Sequence, residues 1–149
     1  MRRRGPRLLL CLGLAAPAAP ALAADGAALF QQHCAACHQG NASGTVGLAP
    51  SLLGEHWKRL GAERSYVPTV MLKGLSGAIK VNGQLFVGSM PGFASTLNDE
   101  ELGAVATHLR GLQGAGGDKP YAAEDFVAVR ATNGNPALTR ALRRQILGE

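Results

Sequence analysis

The sequence predicts an all-α fold, and three observations point that way. No stretch of the 149 residues carries extended apolar–polar alternation, the mark of a half-buried strand. Leu97 to Leu112 places Leu102, Val105, Ala106, Leu109 and Leu112 at helical spacing, along one face. Ala- and Gly-rich helical sequence surrounds residues 25–38, with no strand before it.

The segments follow in order. Residues 1–23 read as a secretory signal peptide: Arg2, Arg3, Arg4 and Arg7 form a basic start, Leu8 to Leu14 an apolar run, and Ala21-Leu22-Ala23 a cleavage site, with Ala24 the neighbouring option. Leu10 stands where lipidation of Cys11 wants a small residue. Asp25 to His33 is a helix with Asp25 as its N-cap. Gly40 to Gly47 is loop, and Ala49 to Gly54 starts extended because Pro50 biases Ala49 away from helix. Tyr66 to Lys73 is a short helix with Pro68 in its first turn and Gly74 at its end. Gly74 to Gly88 reads as a winding loop, with at most a small hairpin around Val81 to Gln84, and Ser89 to Phe93 as more loop. Asn98 and Glu101 then form an N-x-x-E cap for the 97–112 helix. Gly114 to Pro120 breaks the chain. Glu124 to Arg130 resumes it, and a last helix starts at Asn135 and Pro136 and runs toward Leu147. The expected organisation is 1–23 signal peptide, 24–114 main domain and 115–149 helical extension.

The basic composition is mostly a targeting effect. Of the 15 basic residues behind the formal +5, four lie in the leader. The remaining 11 face 10 acidic residues, a near balance that gives no argument for nucleic acid or an anionic membrane, and neither is expected as a partner. After cleavage no stable membrane insertion is expected.

Cys34-Ala35-Ala36-Cys37-His38 carries the chemistry. C-x-x-C-H is the attachment signature of c-type haem. Two thiols on one helical turn can add to the two vinyl groups of a porphyrin, and the adjacent histidine can ligate its iron. A redox-active dithiol is the plainer alternative, but it needs a βαβ setting. Zinc needs further ligands, and His33, His56 and His108 do not supply them at finger spacing. The reading is one covalent haem c and its iron. With 5% aromatic residues and 20 glycines, the chain would struggle to build a large core unaided. A haem would serve as part of that core.

One histidine leaves an axial position, which a thioether fills in electron-transfer sites. Met71 sits in an apolar helical run and reads as core. Met90 is the better candidate, because Pro91 keeps it out of regular helix and Gly88 and Gly92 let backbone approach the ring.

Together these motifs are similar to a known family. Gly26 and Phe30 precede C-x-x-C-H, Pro50-Ser51-Leu52 follows, and Met90-Pro91-Gly92-Phe93 stands before a capped helix. Over residues 24–112 the chain resembles the class I, monohaem cytochromes c of the small bacterial periplasmic type. The resemblance implies helices wrapped around one haem c, with the first and last core helices crossing, and a periplasmic location. By position it implies that Cys34 and Cys37 hold the haem, that His38 and Met90 ligate iron, and that the Pro50 carbonyl accepts from the His38 imidazole. Trp57 and Tyr66 occupy places where the family often has haem-edge or propionate partners; simple core packing is an equal reading. Two departures stand out. His108 takes the place of an aromatic that packs on the glycine of the first helix. The extension 118–149 lies past the usual end, and its Arg140, Arg143 and Arg144 read either as a solvated helix face or as a partner-docking tail.

The implied function is single-electron transfer, without catalysis of its own, to redox partner proteins such as a periplasmic dehydrogenase or a terminal oxidase or reductase. A cytochrome subunit of such a dehydrogenase is the alternative. A haem sensor or peroxidase-like enzyme would require that Met90 not bind.

Overall fold

The computed structural model describes residues 24–149; the expected signal peptide and its cleavage position lie outside the described residues. Helix α1 (Gly26–His33) starts where the Asp25 carboxylate accepts from the backbone N–H of Ala27 and Ala28 at 3.0 and 3.1 Å, satisfying donors a helix start leaves free. It runs into α2 (Ala35–His38), a single turn. Helices α3 (His56–Ala62) and α4 (Tyr66–Lys73) follow. Helix α5 (Asp99–Leu112) opens with a reciprocal cap: Glu101 N–H donates to the Asn98 side chain, and Asn98 N–H to the Glu101 carboxylate, both at 2.9 Å. Its buried face is Leu102, Val105, Ala106 and Leu109. In the extension, α6 (Ala123–Arg130) buries Phe126, and α7 (Pro136–Leu147) starts at the Asn135 cap.

The all-α expectation needs correction. Residues 74–90 are not a winding loop. Strands β1 (Leu75–Val81) and β2 (Gln84–Met90) form a two-stranded antiparallel sheet. They join through Asn82-Gly83, both at positive φ, which is the two-residue turn whose twist suits a hairpin. The register pairs Val81 with Gln84, Ile79 with Phe86, Gly77 with Gly88 and Leu75 with Met90. Alternation is present, but one pair in its middle is Gly opposite Gly, so its apolar signal is broken in the sequence. Helix α3 also went unassigned from sequence; its buried residues are Trp57 and Leu60, one turn apart.

Helix α1 packs on α5. The close approach is at Gly26: a methyl group there would run into the Ala104 carbonyl. His108 also meets α1, its ring 5.5 Å from that of Phe30. The core joins Phe30, Leu60, Val67, Leu72, Leu102 and Phe126, so the extension shares the core of the preceding helices.

Charged side chains fasten the extension. Arg64 donates to the Asp125 carboxylate at 2.6 and 2.7 Å and to the carbonyls of Lys119 and Pro120. Arg130 reaches Asp99 and the Ala94 carbonyl. The Lys73 ammonium donates to the Thr132 carbonyl at 2.8 Å.

Candidate functional site

The turn at residues 34–38 places three reactive groups together. Helix α1 ends at Cys34, whose carbonyl accepts from the N–H of Cys37 and His38 at 3.2 and 2.9 Å. That single turn directs both thiols and the imidazole toward one cavity, which all three line. Burial, with Cys37 adding to it, pushes the Cys34 thiol up to about 11. A thiol so reluctant to ionise is a poor redox dithiol, whose nucleophile is a thiolate of lowered pKa.

The loop after the turn folds back on it. Thr45 Oγ1 donates to the Cys37 carbonyl at 2.9 Å, Gly44 N–H to the His38 carbonyl at 2.9 Å, and Leu52 N–H to the Ala42 carbonyl at 2.9 Å. These bonds return the Pro50 carbonyl to within 3.0 Å of His38 Nδ1. A carbonyl only accepts, so Nδ1 carries the proton and Nε2 keeps its lone pair. Burial lowers the basicity of His38, with the Pro50 bond partly opposing. The ring is thus held neutral, in one tautomer, with Nε2 free.

The hairpin forms another wall. Leu75, Gly77, Ile79 and Val81 of β1 and Phe86, Gly88 and Met90 of β2 all line the cavity. These seven occupy alternate positions and pair across the sheet, apart from Val81, whose partner is Gln84; Ser89, between Gly88 and Met90, also borders the cavity. Period two therefore aims one sheet face at the cavity. Met90 is the last member of this row. Met71 lies elsewhere, buried in the core at 6% exposure.

Helices α3, α4 and α7 supply a further wall through Trp57, Tyr66 and Arg143. Trp57 and Tyr66 are both buried, their ring centroids 6.0 Å apart. Burial raises the Tyr66 hydroxyl to about 12. The indole Nε1 of Trp57 is buried and has no hydrogen-bond partner among the described residues. Such a donor costs about 1–3 kcal/mol unless something accepts from it. Arg143 and His56 also line the cavity and were not anticipated there. The expectation of a solvated face or a docking tail fails for Arg143, which is 2% exposed; Arg144 is exposed.

The donor set fits a haem. It offers two thiols on one turn, a neutral imidazole, a thioether, apolar walls and an indole N–H in need of an acceptor. Among the described residues no three His, Cys, Asp or Glu side chains gather as a metal site. His38 and Met90 could serve only a metal whose remaining ligands arrive with its cofactor.

Comparison with known proteins agrees. Residues 21–109 match the family model described as cytochrome c oxidase, cbb3-type, subunit III. The chain belongs to this cytochrome c family. It is 39% identical to cytochrome c-552 of Thermus thermophilus over 129 residues, covering 83% of this chain and 97% of that protein. It is 30% identical over 107 residues to the gluconate 2-dehydrogenase cytochrome c subunit of Pantoea cypripedii, covering 70% of this chain and 24% of that subunit. The cytochrome accordingly binds one covalent haem c with its iron, and electron transfer is its function. The Thermus likeness leaves out about 25 residues of the chain, fewer than 115–149 contains, so it reaches into the extension. Among the described residues no helix is long and apolar enough to cross a membrane.

Proposed function

We propose that this cytochrome is a periplasmic electron carrier whose haem is fixed through Cys34 and Cys37 and whose iron is ligated by His38 and Met90. The observation that carries this reading is the shared cavity: the free Nε2 side of a neutral His38 and the last residue of an inward-facing strand row line the same space. The haem, when bound, supplies an iron that cycles between two oxidation states. The chain does the rest. Pro50 orients the imidazole and strengthens it as a ligand. The register of β1 and β2 holds Met90, so both ligands stay through the cycle. Leu75, Ile79, Val81 and Phe86 exclude water. Trp57 Nε1 would donate to a haem propionate, and Tyr66 packs beside Trp57. Residues 24–114 form the haem-binding domain, with 115–149 an extension built onto it.

Its partners are redox proteins, a periplasmic dehydrogenase as donor or a terminal oxidase or reductase as acceptor, and the chain performs no substrate chemistry of its own. The likeness to a gluconate 2-dehydrogenase cytochrome c subunit supports a second reading, in which this chain is the cytochrome partner of such a dehydrogenase. Stable co-purification with a larger subunit separates the two.

Visible spectra of the matured protein and of Met90→Ala test the ligation. The wild type is expected to show low-spin reduced bands and the weak long-wavelength ferric band of sulfur ligation. Met90→Ala should keep its haem, lose that band and bind carbon monoxide when reduced. A variant with the wild-type spectrum would refute Met90 as ligand. Open-site behaviour in the wild type would turn the reading toward sensing or peroxidase-like catalysis.

A further inference from the structure

The hairpin has two edges, and the fold covers only one. Asn82 and Gly83 make a two-residue turn at positive φ, so Val81 and Gln84 exchange both backbone bonds, and every second pair beyond them does the same. At the rungs between, Ser76, Ala78 and Lys80 turn their N–H and C=O outward on β1, and Leu85, Val87 and Ser89 do so on β2. The β1 edge is covered: α7 packs along it, and the Lys80 carbonyl accepts from Arg143 Nη2 at 3.0 Å. The β2 edge is bare. Among the described residues no backbone group of 84–90 bonds to backbone outside the sheet, and Leu85 and Val87 are 58% and 73% exposed.

A bare edge is a template for another strand, and proteins blunt it with charge, proline or a bulge. Strand β2 has none of these. No charged residue occurs from 81 to 98, Pro91 falls just past the strand, and the register runs unbroken from Leu75–Met90 to Val81–Gln84. The natural mate is an uncharged strand with a bare edge of its own, and among the described residues β2 is that strand. Two copies fit about a two-fold axis at Val87. Val87 then faces Val87 of the second copy, Leu85 faces its Ser89, and every outward N–H and C=O of both strands is used. On the cavity side Phe86 faces Gly88 of the second copy. A methyl group at Gly88 would meet nothing within 4 Å, so the ring has room. Lys80, the hairpin's one charge, lies one strand further out and two rungs from the axis. The two copies of Lys80 are therefore about 20 Å apart, beyond a Debye length of about 8–10 Å.

We propose that β2 is a self-association edge: two copies of this cytochrome pair through residues 85–89 into one four-stranded antiparallel sheet. The axis stands perpendicular to that sheet, so both haem cavities lie on the same side of it and are neighbours. The ladder is short, so the pairing is weak and reversible. The proposal does not depend on the axial ligands assigned above.

The test is sedimentation equilibrium of the matured holoprotein from about 10 μM to about 1 mM, with amide hydrogen exchange measured at both ends. The average mass should rise toward twice that of the monomer, and the amides of Leu85, Val87 and Ser89 should exchange about tenfold more slowly at the upper end. Val87→Pro removes the central N–H but no bond within the hairpin, because that N–H points outward; it should keep the chain monomeric. Val87→Lys sets two ammonium groups face to face and should weaken the pairing at least about tenfold. Val127→Lys, at a 54% exposed position on α6, should leave it unchanged. A monomeric mass throughout would overturn the proposal and leave the edge to a strand of another protein. So would a dimer in which those three amides exchange freely, or one that Val127→Lys weakens as much as Val87→Lys does. Should Val87→Pro fail to mature, Val87→Lys decides: pairing as tight as in the wild type overturns it.

Discussion

Gly26→Ala sets two physical effects against each other. Alanine is the better helix former, by up to about 1 kcal/mol over glycine, and Gly26 is the first residue of α1. Propensity alone therefore predicts a gain. The packing predicts a loss. The added methyl meets the Ala104 carbonyl, with Val105 N 3.2 Å away, and both belong to the backbone of the 14-residue α5. A side chain could rotate aside; a capped helix backbone must translate as a body. Overpacking of this kind costs about 1–3 kcal/mol, and a steric conflict with backbone belongs at the upper end. The net expectation is a destabilisation of about 1–2 kcal/mol. For a chain of this size each kcal/mol moves the melting temperature by roughly 3–5 °C, so a fall of roughly 3–10 °C is expected in thermal unfolding followed by circular dichroism. The haem bands should broaden in parallel, because α1 leads directly into Cys34. An unchanged or raised melting temperature would refute the crossing of α1 and α5 at this contact.

Phe126→Ala, at a fully buried position in the extension, should cost about 3–5 kcal/mol in a single cooperative transition; an early separate melting of 115–149 would show that the extension is an independent unit. The pairing of Asp125 with Arg64 predicts a pH dependence. The Arg64 hydrogen bond holds the Asp125 carboxyl below the usual range, aided by the Ala122 N–H and opposed by burial. Because the folded-state value is depressed, the stability it confers is complete above the ordinary carboxylate range and drains as pH falls through the lowered value. Asp125→Asn should flatten the acid limb of a melting-temperature profile, and an unchanged limb would contradict the pairing. Trp57→Phe keeps a ring but removes the N–H. If a propionate accepts from it, the midpoint potential of the holoprotein should change while the sulfur band persists; an unchanged potential would assign Trp57 to packing alone.

The parts of this molecule written in local chemistry were readable from sequence. Asp25, Asn98 with Glu101, and Asn135 with Pro136 announce helix starts because a cap acts within three residues. Cys34, Cys37 and His38 announce a cofactor because their spacing is the chemistry. What escaped depends on distant partners. The hairpin was hidden because Gly77 faces Gly88, so the inward row reads Leu, Gly, Ile, Val and then Phe, Gly, Met, with its apolar rhythm broken on both strands. Only the Asn82-Gly83 turn was visible. Arg143 was read as a surface or docking residue because nothing in its own helix says that Lys80 and Glu149 will enclose it. The His38–Pro50 bond spans 12 residues and came from family likeness, since loop closure of that kind leaves no local signature.

Pairing Leu75 with Met90 makes the methionine the closing rung of the hairpin, as far from the turn as the sheet allows. Adding or deleting one residue between 75 and 81, or between 84 and 89, would invert the inward row on that strand. Length changes within either strand of this stretch of the gene are therefore penalised. The hairpin works as a ruler, and, on the ligation proposed above, drift in its length is a route by which a descendant of this chain would trade a closed iron for an open one.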